Sequence, residues 1–453
     1  MLIARNPMDG EILSETPSLN SEQMHERIGD AYRAFDTWQA MPISERAEIL
    51  RAVGAALRAD KPRLAELMAK EMGKPVKEGG PEVEKGAWCS EYYAEHAEAY
   101  LAREELPSDA SLSYVCYQPL GTILGILPWN APVWLAFRFL APALMAGNTC
   151  VMKHDPHVQG TASAIAEAFQ KAGAPDNIMV NLPLATPEVE QAICDPRISA
   201  VSFTGSDRAG AKVASMAGSV LKPVVMELGG SDPFIVLADA DLDTAADVAT
   251  LSRIINAGQS CIAAKRVIVE ESVYDVFIEK VQSRLAKLKL GDPLKGDTDI
   301  GPIAREDLRT NLHRQVTETI EAGAQCLLGG ELPDGPGYFY PVTLLTDVTE
   351  GMCAFREETF GPVMAVIRAT DAEEALQLAN ETDYGLGAGV WTQNAELAEQ
   401  LALRIESGQV AINGIVKTDP RLPSGGIKRS GYGRELGPHG IKEFVNAKQI
   451  WIK

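Results

Sequence analysis

The chain is poor in the residues that build stapled or metal-held folds. Seven cysteines are scattered through 453 residues, an odd number, and none stands in a Cys-x-x-Cys pair. That argues against a disulfide framework and for a reducing, cytoplasmic setting. Histidine is scarcer, six in all. Only His154 and His157 stand close together, with no further ligand group at metal-site spacing, so no metal is expected. No apolar run reaches the roughly 18–20 residues of a membrane-spanning helix. The first residues lead straight into Asn6-Pro7-Met8-Asp9-Gly10, and no signal or transit peptide is expected. Positive charge is also short: 42 Lys and Arg against 62 Asp and Glu leave a net charge of −20. Such a surface repels phosphate backbones and anionic lipid, which argues against nucleic acid or a membrane surface as partner. A small anionic substrate stays compatible, because charge inside a pocket can oppose the global sign.

What is present is ordinary globular composition, 46% hydrophobic and 23% charged, long enough for two or three domains. Residues 21–40 space Ile28, Ala31, Phe35 and Trp38 for a helix, with Ser21 as its N-cap. Further helices are expected over 44–58 and about 80–103. The alternation of Leu112, Tyr114 and Cys116 then reads as an exposed strand or hairpin over 107–118. From 121 short apolar strands alternate with helices: Thr122–Leu127, Thr149–Lys153, Ala200–Thr204 and Pro223–Glu227, with helices near 133–146, 158–172, 186–194 and 207–219. A second series follows, with strands at Arg266–Val269, Val363–Arg368, Gly387–Trp391 and Gln409–Asn413 and helices over 272–289 and 371–380. Two α/β domains with largely parallel sheets, joined near 228–232, and one small extra element are therefore expected.

The candidate chemistry centres on one thiol and one carboxylate. Cys261 ends the run Asn256-Ala257-Gly258-Gln259-Ser260-Cys261, thirty-four residues after Glu227 in Glu227-Leu228-Gly229-Gly230. Small residues before the cysteine let backbone N–H groups come close and leave room for a substrate, as a nucleophilic thiol requires. The Asn130 amide, in Pro128-Trp129-Asn130-Ala131-Pro132, is placed to donate to an oxyanion, although a rigid turn explains the prolines equally. The usual G-x-G-x-x-G after a first strand is missing. Instead Phe203-Thr204-Gly205-Ser206 ends a strand and opens a helix, a junction that can hold a phosphate. Lys153 at a strand end could reach a ribose hydroxyl or a phosphate. Glu358, beside Phe360, offers a carboxylate for ribose next to an aromatic for a flat ring.

Asn130, Lys153, Gly205-Ser206, Glu227-Leu228-Gly229-Gly230, Gly258-Gln259-Ser260-Cys261, Glu358-Thr359-Phe360-Gly361-Pro362 and Ser430-Gly431-Tyr432-Gly433-Arg434-Glu435, in that order and over essentially the whole chain, resemble the aldehyde dehydrogenase superfamily. Within it, Lys153-His154-Asp155-Pro156 and Gly230-Ser231-Asp232-Pro233-Phe234 look most like the short bacterial succinate-semialdehyde dehydrogenases. The resemblance implies a Rossmann-type NAD(P)-binding domain (1–105 and 119–229), an α/β catalytic domain (230–434) and a small β oligomerisation element (106–118 and 435–453). It implies Cys261 as nucleophile, Asn130 and the Cys261 N–H as oxyanion donors, and Glu227 as base for hydrolysis of a thioester. Trp129, Lys153, Gly205, Ser206, Leu228, Glu358 and Phe360 would contact the cofactor, and a homodimer or homotetramer is expected.

Departures from the family pattern bear on selectivity. Where many NAD-selective members carry a glutamate three residues after the lysine, this chain has Pro156, and Ala185 replaces a common glycine. NAD or NADP therefore remain open, with a slight lean to NAD on the view that Asp155 stands in for the missing carboxylate. Arg138 suits a substrate carboxylate, since a guanidinium binds it bidentately. The second arginine of some relatives is Ile255 here, with Arg421 and Lys417 as substitutes and Ser424 widening the wall of the aldehyde tunnel. A small ω-carboxy aldehyde is the expected substrate, with broader aliphatic or aromatic aldehydes as the alternative. Three rivals are weaker: an acylating enzyme, which would lack the Glu227 base; a non-catalytic protein of this fold, which would have lost Cys261, Asn130 or Glu227; and a cysteine hydrolase, which would want a histidine in context.

Overall fold

A computed structural model describes residues 1–453. The first body is a six-stranded sheet in the order Gly431–Tyr432, Val224–Glu227, Ile198–Thr204, Thr122–Ile126, Thr149–Lys153, Met179–Asn181. All neighbours are parallel except the short first strand, where Gly431 pairs with Glu227. The Thr122–Ile126 and Thr149–Lys153 strands are buried at every position, as expected of a parallel sheet covered on both faces. The chain runs from Thr122–Ile126 outward in one direction, then returns to lay Ile198–Thr204 on the other side of the same strand. That reversal is a topological switch point, and ligands of open α/β sheets bind just beyond the strand ends there. Trp129, Asn130, Gly205 and Ser206 follow those two strand ends.

The second body is a seven-stranded sheet, in the order Gln325–Leu328, Thr343–Thr346, Val363–Ala369, Arg266–Glu270, Pro233–Val236, Gly387–Trp391, Gln409–Ile412, antiparallel only at its first pair. A third sheet joins Val445–Ile452, Leu112–Pro119 and Glu104–Glu105. Its two long strands pair in unbroken register from Val445 opposite Pro119 to Ile452 opposite Leu112.

Several boundaries differ from the sequence expectation. Asn20, not Ser21, caps the first helix, Ser21–Ala40; its side chain accepts from Gln23 N while Gln23 reaches back, a reciprocal capping box. A helix at Lys61–Met72 went unrecognised, and the helix expected over 80–103 spans Val76–Tyr100. Gly431–Tyr432, expected in the catalytic domain, adds to the first sheet. Of residues 435–453 only Val445–Ile452 forms a long strand; Glu435 is buried beside Arg138, while Lys442 bonds to Glu104 and Tyr117 of the third sheet.

The helix Pro132–Met145 is buried at every residue. A helix start enclosed in this way needs acceptors for its free N–H groups. Glu82 supplies them, taking the Val133 N–H at 2.9 Å and the Trp134 N–H at 3.2 Å, while pairing with Lys74.

Candidate active site

Cys261 follows a turn that L-residues rarely adopt. Asn256 (φ 56°, ψ 40°) and Ala257 (φ 53°, ψ 33°) are left-handed, and Gly258 follows at φ 73°. A non-glycine residue in this region costs on the order of 1–3 kcal/mol, so the surroundings must enforce it. They do so from five directions. Glu78 accepts the Asn256 N–H at 2.7 Å, and Asn256 Nδ2 donates to the Asn130 carbonyl at 2.8 Å. Arg253 donates to the Gly258 carbonyl at 2.6 Å, and Gln259 Oε1 accepts from Ala304 N at 2.9 Å. Lys265, fully buried, donates to the Ser260 and Cys261 carbonyls at 2.9 and 2.6 Å.

The Asn130 side chain closes on the same loop, its Nδ2 donating to the Gln259 carbonyl at 3.1 Å. An amide nitrogen has two N–H groups, so one is left over, and the Cys261 N–H has no acceptor in the protein. Two free donors beside a thiol are what an oxyanion needs. Burial pushes the Cys261 thiol up to about 11, against the opposing pull of Lys265 and Arg138. The resting thiol is therefore neutral, and its proton has to leave as the carbonyl arrives.

Glu227, at the end of its strand, is almost fully buried. Its Oε2 accepts from Arg138 Nη2 at 2.9 Å, and Arg138 Nε lies 2.5 Å from Glu435 Oε2. One guanidinium thus sits between two carboxylates. Burial raises both carboxyl groups above the usual range, with Arg138 pulling the other way. Burial alone would lower Arg138; Glu435 and Glu227, with Cys261 as a further charge neighbour, outweigh it and leave it raised. Glu227 Oε1 has no hydrogen-bond partner, and it lies where a Cβ on Gly425 would stand, 2.7 Å away. The glycine leaves this carboxylate room.

The structure brings the Arg138 of the sequence reading into the site, and adds that it already carries Glu227. Arg421 is different. It spends both arms of its guanidinium on Asp419, at 2.8 and 2.7 Å, with its side chain 65% exposed. Ser424 is buried and exchanges two backbone hydrogen bonds with Glu435. A cation that sequence reasoning missed lies closer in. Lys85 Nζ donates to Thr418 Oγ1 at 2.8 Å and sits 4.2 Å from the centre of the Trp134 ring, one helical turn before Arg138. Burial, aided by Arg138, pulls the Lys85 ammonium down to about 8. Nothing local in the sequence marked it, since its neighbours come from residues 134 and 418.

At the switch point, Ser206 caps the helix Asp207–Ser219. Gly205 faces Phe203, whose ring a Cβ there would strike. Lys153 is buried with no ion pair, its ammonium pulled down by that burial. Trp129 and Phe360 meet edge to face at 5.8 Å, and Leu228 packs against the helix at Gly210. Glu358 accepts the Gly230 N–H at 3.1 Å and pairs with Lys265 at 3.2 Å, occupying the space a Cβ on Gly229 would take. A buried lysine without an ion pair and a helix that starts at the switch point suit a dinucleotide. Asp155, by contrast, does not stand in for the missing glutamate. It accepts from His157 N at 2.9 Å and from His157 Nδ1 at 3.0 Å, capping its own turn. That removes the reason for leaning to NAD.

Residues 2–450 match the family described as Aldehyde dehydrogenase family. The Escherichia coli protein Sad, named as a succinate semialdehyde dehydrogenase of NAD(P)+, is 45% identical over 99% of this chain and 97% of its own. A Mycobacterium bovis succinate-semialdehyde dehydrogenase of NADP+ is 44% identical, covering 99% and 98%. Among solved structures, a succinic semialdehyde dehydrogenase from Streptococcus pyogenes in complex with NADP+ superposes with a TM-score of 0.97 at 35% identity over 100% of both chains.

Proposed function

The chain belongs to the aldehyde dehydrogenase family, and from that premise we propose that it oxidises succinate semialdehyde, or an ω-carboxy aldehyde of similar size, to the dicarboxylic acid, accepting NADP as well as NAD. Oxidation of an aldehyde to the acid with NAD(P) is the family's activity and is this protein's; the substrate, the cofactor preference and the residue roles are the proposal. The observation that carries it is a buried arginine, Arg138, as a charge neighbour of Cys261, with Lys85 a charge neighbour of Arg138 in turn.

Cys261 Sγ gives up its proton to solvent and, as thiolate, attacks the carbonyl carbon, and the oxygen that becomes negative is held by Asn130 Nδ2 and the Cys261 N–H. Bound NAD(P) supplies the hydride acceptor. Gly205, Ser206 and Lys153 would hold its phosphates and ribose, and Glu358, Phe360, Trp129 and Leu228 its nicotinamide end. The acyl group left on Cys261 is a thioester, which water attacks while Glu227 takes the proton. Arg138 holds the far carboxylate of the substrate, with Lys85 adding charge behind it. The first sheet forms the cofactor-binding body and the second the catalytic body. The sheet of Leu112–Pro119 and Val445–Ile452 joins subunits into a homo-oligomer. Seven unpaired cysteines suit a reducing, cytoplasmic setting.

The test is cofactor reduction at 340 nm with a panel of aldehydes and both cofactors. Succinate semialdehyde should be preferred, Cys261→Ala should abolish turnover, and Arg138→Ala should raise its KM at least tenfold. Turnover surviving in Cys261→Ala would sink the mechanism. An unchanged KM in Arg138→Ala would sink the substrate.

A further inference from the structure

We propose that the substrate's far carboxylate and Glu227 compete for Arg138, so that binding an ω-carboxy aldehyde is what releases the hydrolytic base. The inference rests on the substrate reading above. Its ground is that the guanidinium expected to receive the substrate is already engaged. Arg138 Nη2 donates to Glu227 Oε2 at 2.9 Å, and Nε faces Glu435 at 2.5 Å. One positive charge thus serves two buried carboxylates before any substrate arrives, and a third in the same enclosed space cannot be matched by the guanidinium alone.

Of the two carboxylates, Glu435 holds Arg138 the more closely, at 2.5 Å against 2.9 Å for Glu227, so Glu227 is the one that leaves. Glu227 holds Arg138 through one hydrogen bond, from Nη2 to Oε2 at 2.9 Å, and its Oε1, which has no partner, stands 2.7 Å from where a Cβ on Gly425 would be, a position only glycine leaves to it. A rotation of its side chain is enough to break the single bond to Arg138. The freed carboxylate then accepts one proton of a water as the water oxygen bonds to the acyl carbon. The carbon–sulfur bond breaks, and the electron pair returns to Cys261 as thiolate.

An aldehyde lacking the carboxylate acylates Cys261 but leaves Glu227 on Arg138, so hydrolysis becomes its slow step. Lys85 takes no part in holding the base: its ammonium is bonded to Thr418 and stacked on Trp134.

Stopped-flow absorbance at 340 nm on the wild-type enzyme tests this without a substitution. Succinate semialdehyde is compared with its methyl ester and with propanal, the latter with and without formate at constant ionic strength. Propanal and formate together carry the two ends of the natural ligand. The expected result is a burst of about one reduced cofactor per active site with the ester and with propanal, and none with succinate semialdehyde. Formate should raise the propanal steady-state rate several-fold, and chloride should not. If the ester and the acid share one KM, the substrate reading itself fails. If the KM values differ but burst behaviour is the same for all three and formate does nothing, Arg138 binds substrate without gating the base, and this inference alone is overturned.

Discussion

At the scale of single residues, burial sets the protonation state of the Cys261 thiol. Cys261 keeps its proton because burial outweighs the pull of Lys265 and Arg138, and the thiol is pushed up to about 11. The thiolate fraction at neutral pH is then small and climbs with each unit of pH, since the raised value favours the neutral form throughout the physiological range. Alkylation of Cys261 by iodoacetamide, followed by peptide mass spectrometry in the free enzyme, should accelerate about tenfold per pH unit from 7 to 9. A plateau below pH 8 would show a thiolate already formed and would contradict the burial argument. Cys261, Glu227 and Asn130 were all legible as residue types in permissive loops. Their partners were not. Glu78 acts 178 residues away from Asn256, and Glu435 meets Arg138 only through the packing of the C-terminal segment. No periodicity or local motif encodes contacts of that range.

At the scale of elements, the loop that leads to Cys261 is a strained turn kept in place by a neighbouring helix. Glu78, in Val76–Tyr100, takes the Asn256 N–H, and burial raises its carboxyl to about 7. Glu78→Ala orphans that buried N–H, a loss of about 1–3 kcal/mol, and slackens the turn that aims Cys261. We expect a lower midpoint in urea unfolding and a fall in kcat, both largely restored by Glu78→Gln, which keeps an acceptor. An alanine variant with wild-type unfolding and kcat would show that the turn holds itself. The element reading from sequence succeeded where buried runs were long and bounded, as at Thr149–Lys153 and Gly387–Trp391. It failed at a cap and a short strand, and at whole helices, Lys61–Met72, Leu242–Ile254 and Glu306–Glu321. Asn20 displaced Ser21 because its side chain reaches Gln23 N, and Pro233–Val236 is only four residues long.

At the scale of the whole molecule, the small sheet presents its long outer strand to solvent. Val445–Ile452 pairs along its length with Leu112–Pro119 but has a free outer edge, with Trp451 and Ile452 each 45% exposed. An open, apolar edge strand invites pairing with a second copy. The double variant Trp451→Asp/Ile452→Asp should lower the mass measured by light scattering toward the monomer's 48.8 kDa. An unchanged oligomer would move the interface elsewhere. The two large sheets were readable from the βαβ rhythm, whereas the return of Gly431–Tyr432 to the first sheet was not, since a two-residue strand carries no pattern of its own. The claim on which everything else depends is that Cys261 carries the substrate's acyl group and Glu227 removes it. Intact-protein and peptide mass spectrometry of Glu227→Gln, mixed with succinate semialdehyde and NADP, tests it directly. The account predicts a succinyl adduct on Cys261 that persists for minutes in this variant and vanishes in the wild type. An adduct on another cysteine, or none while turnover continues, would contradict it.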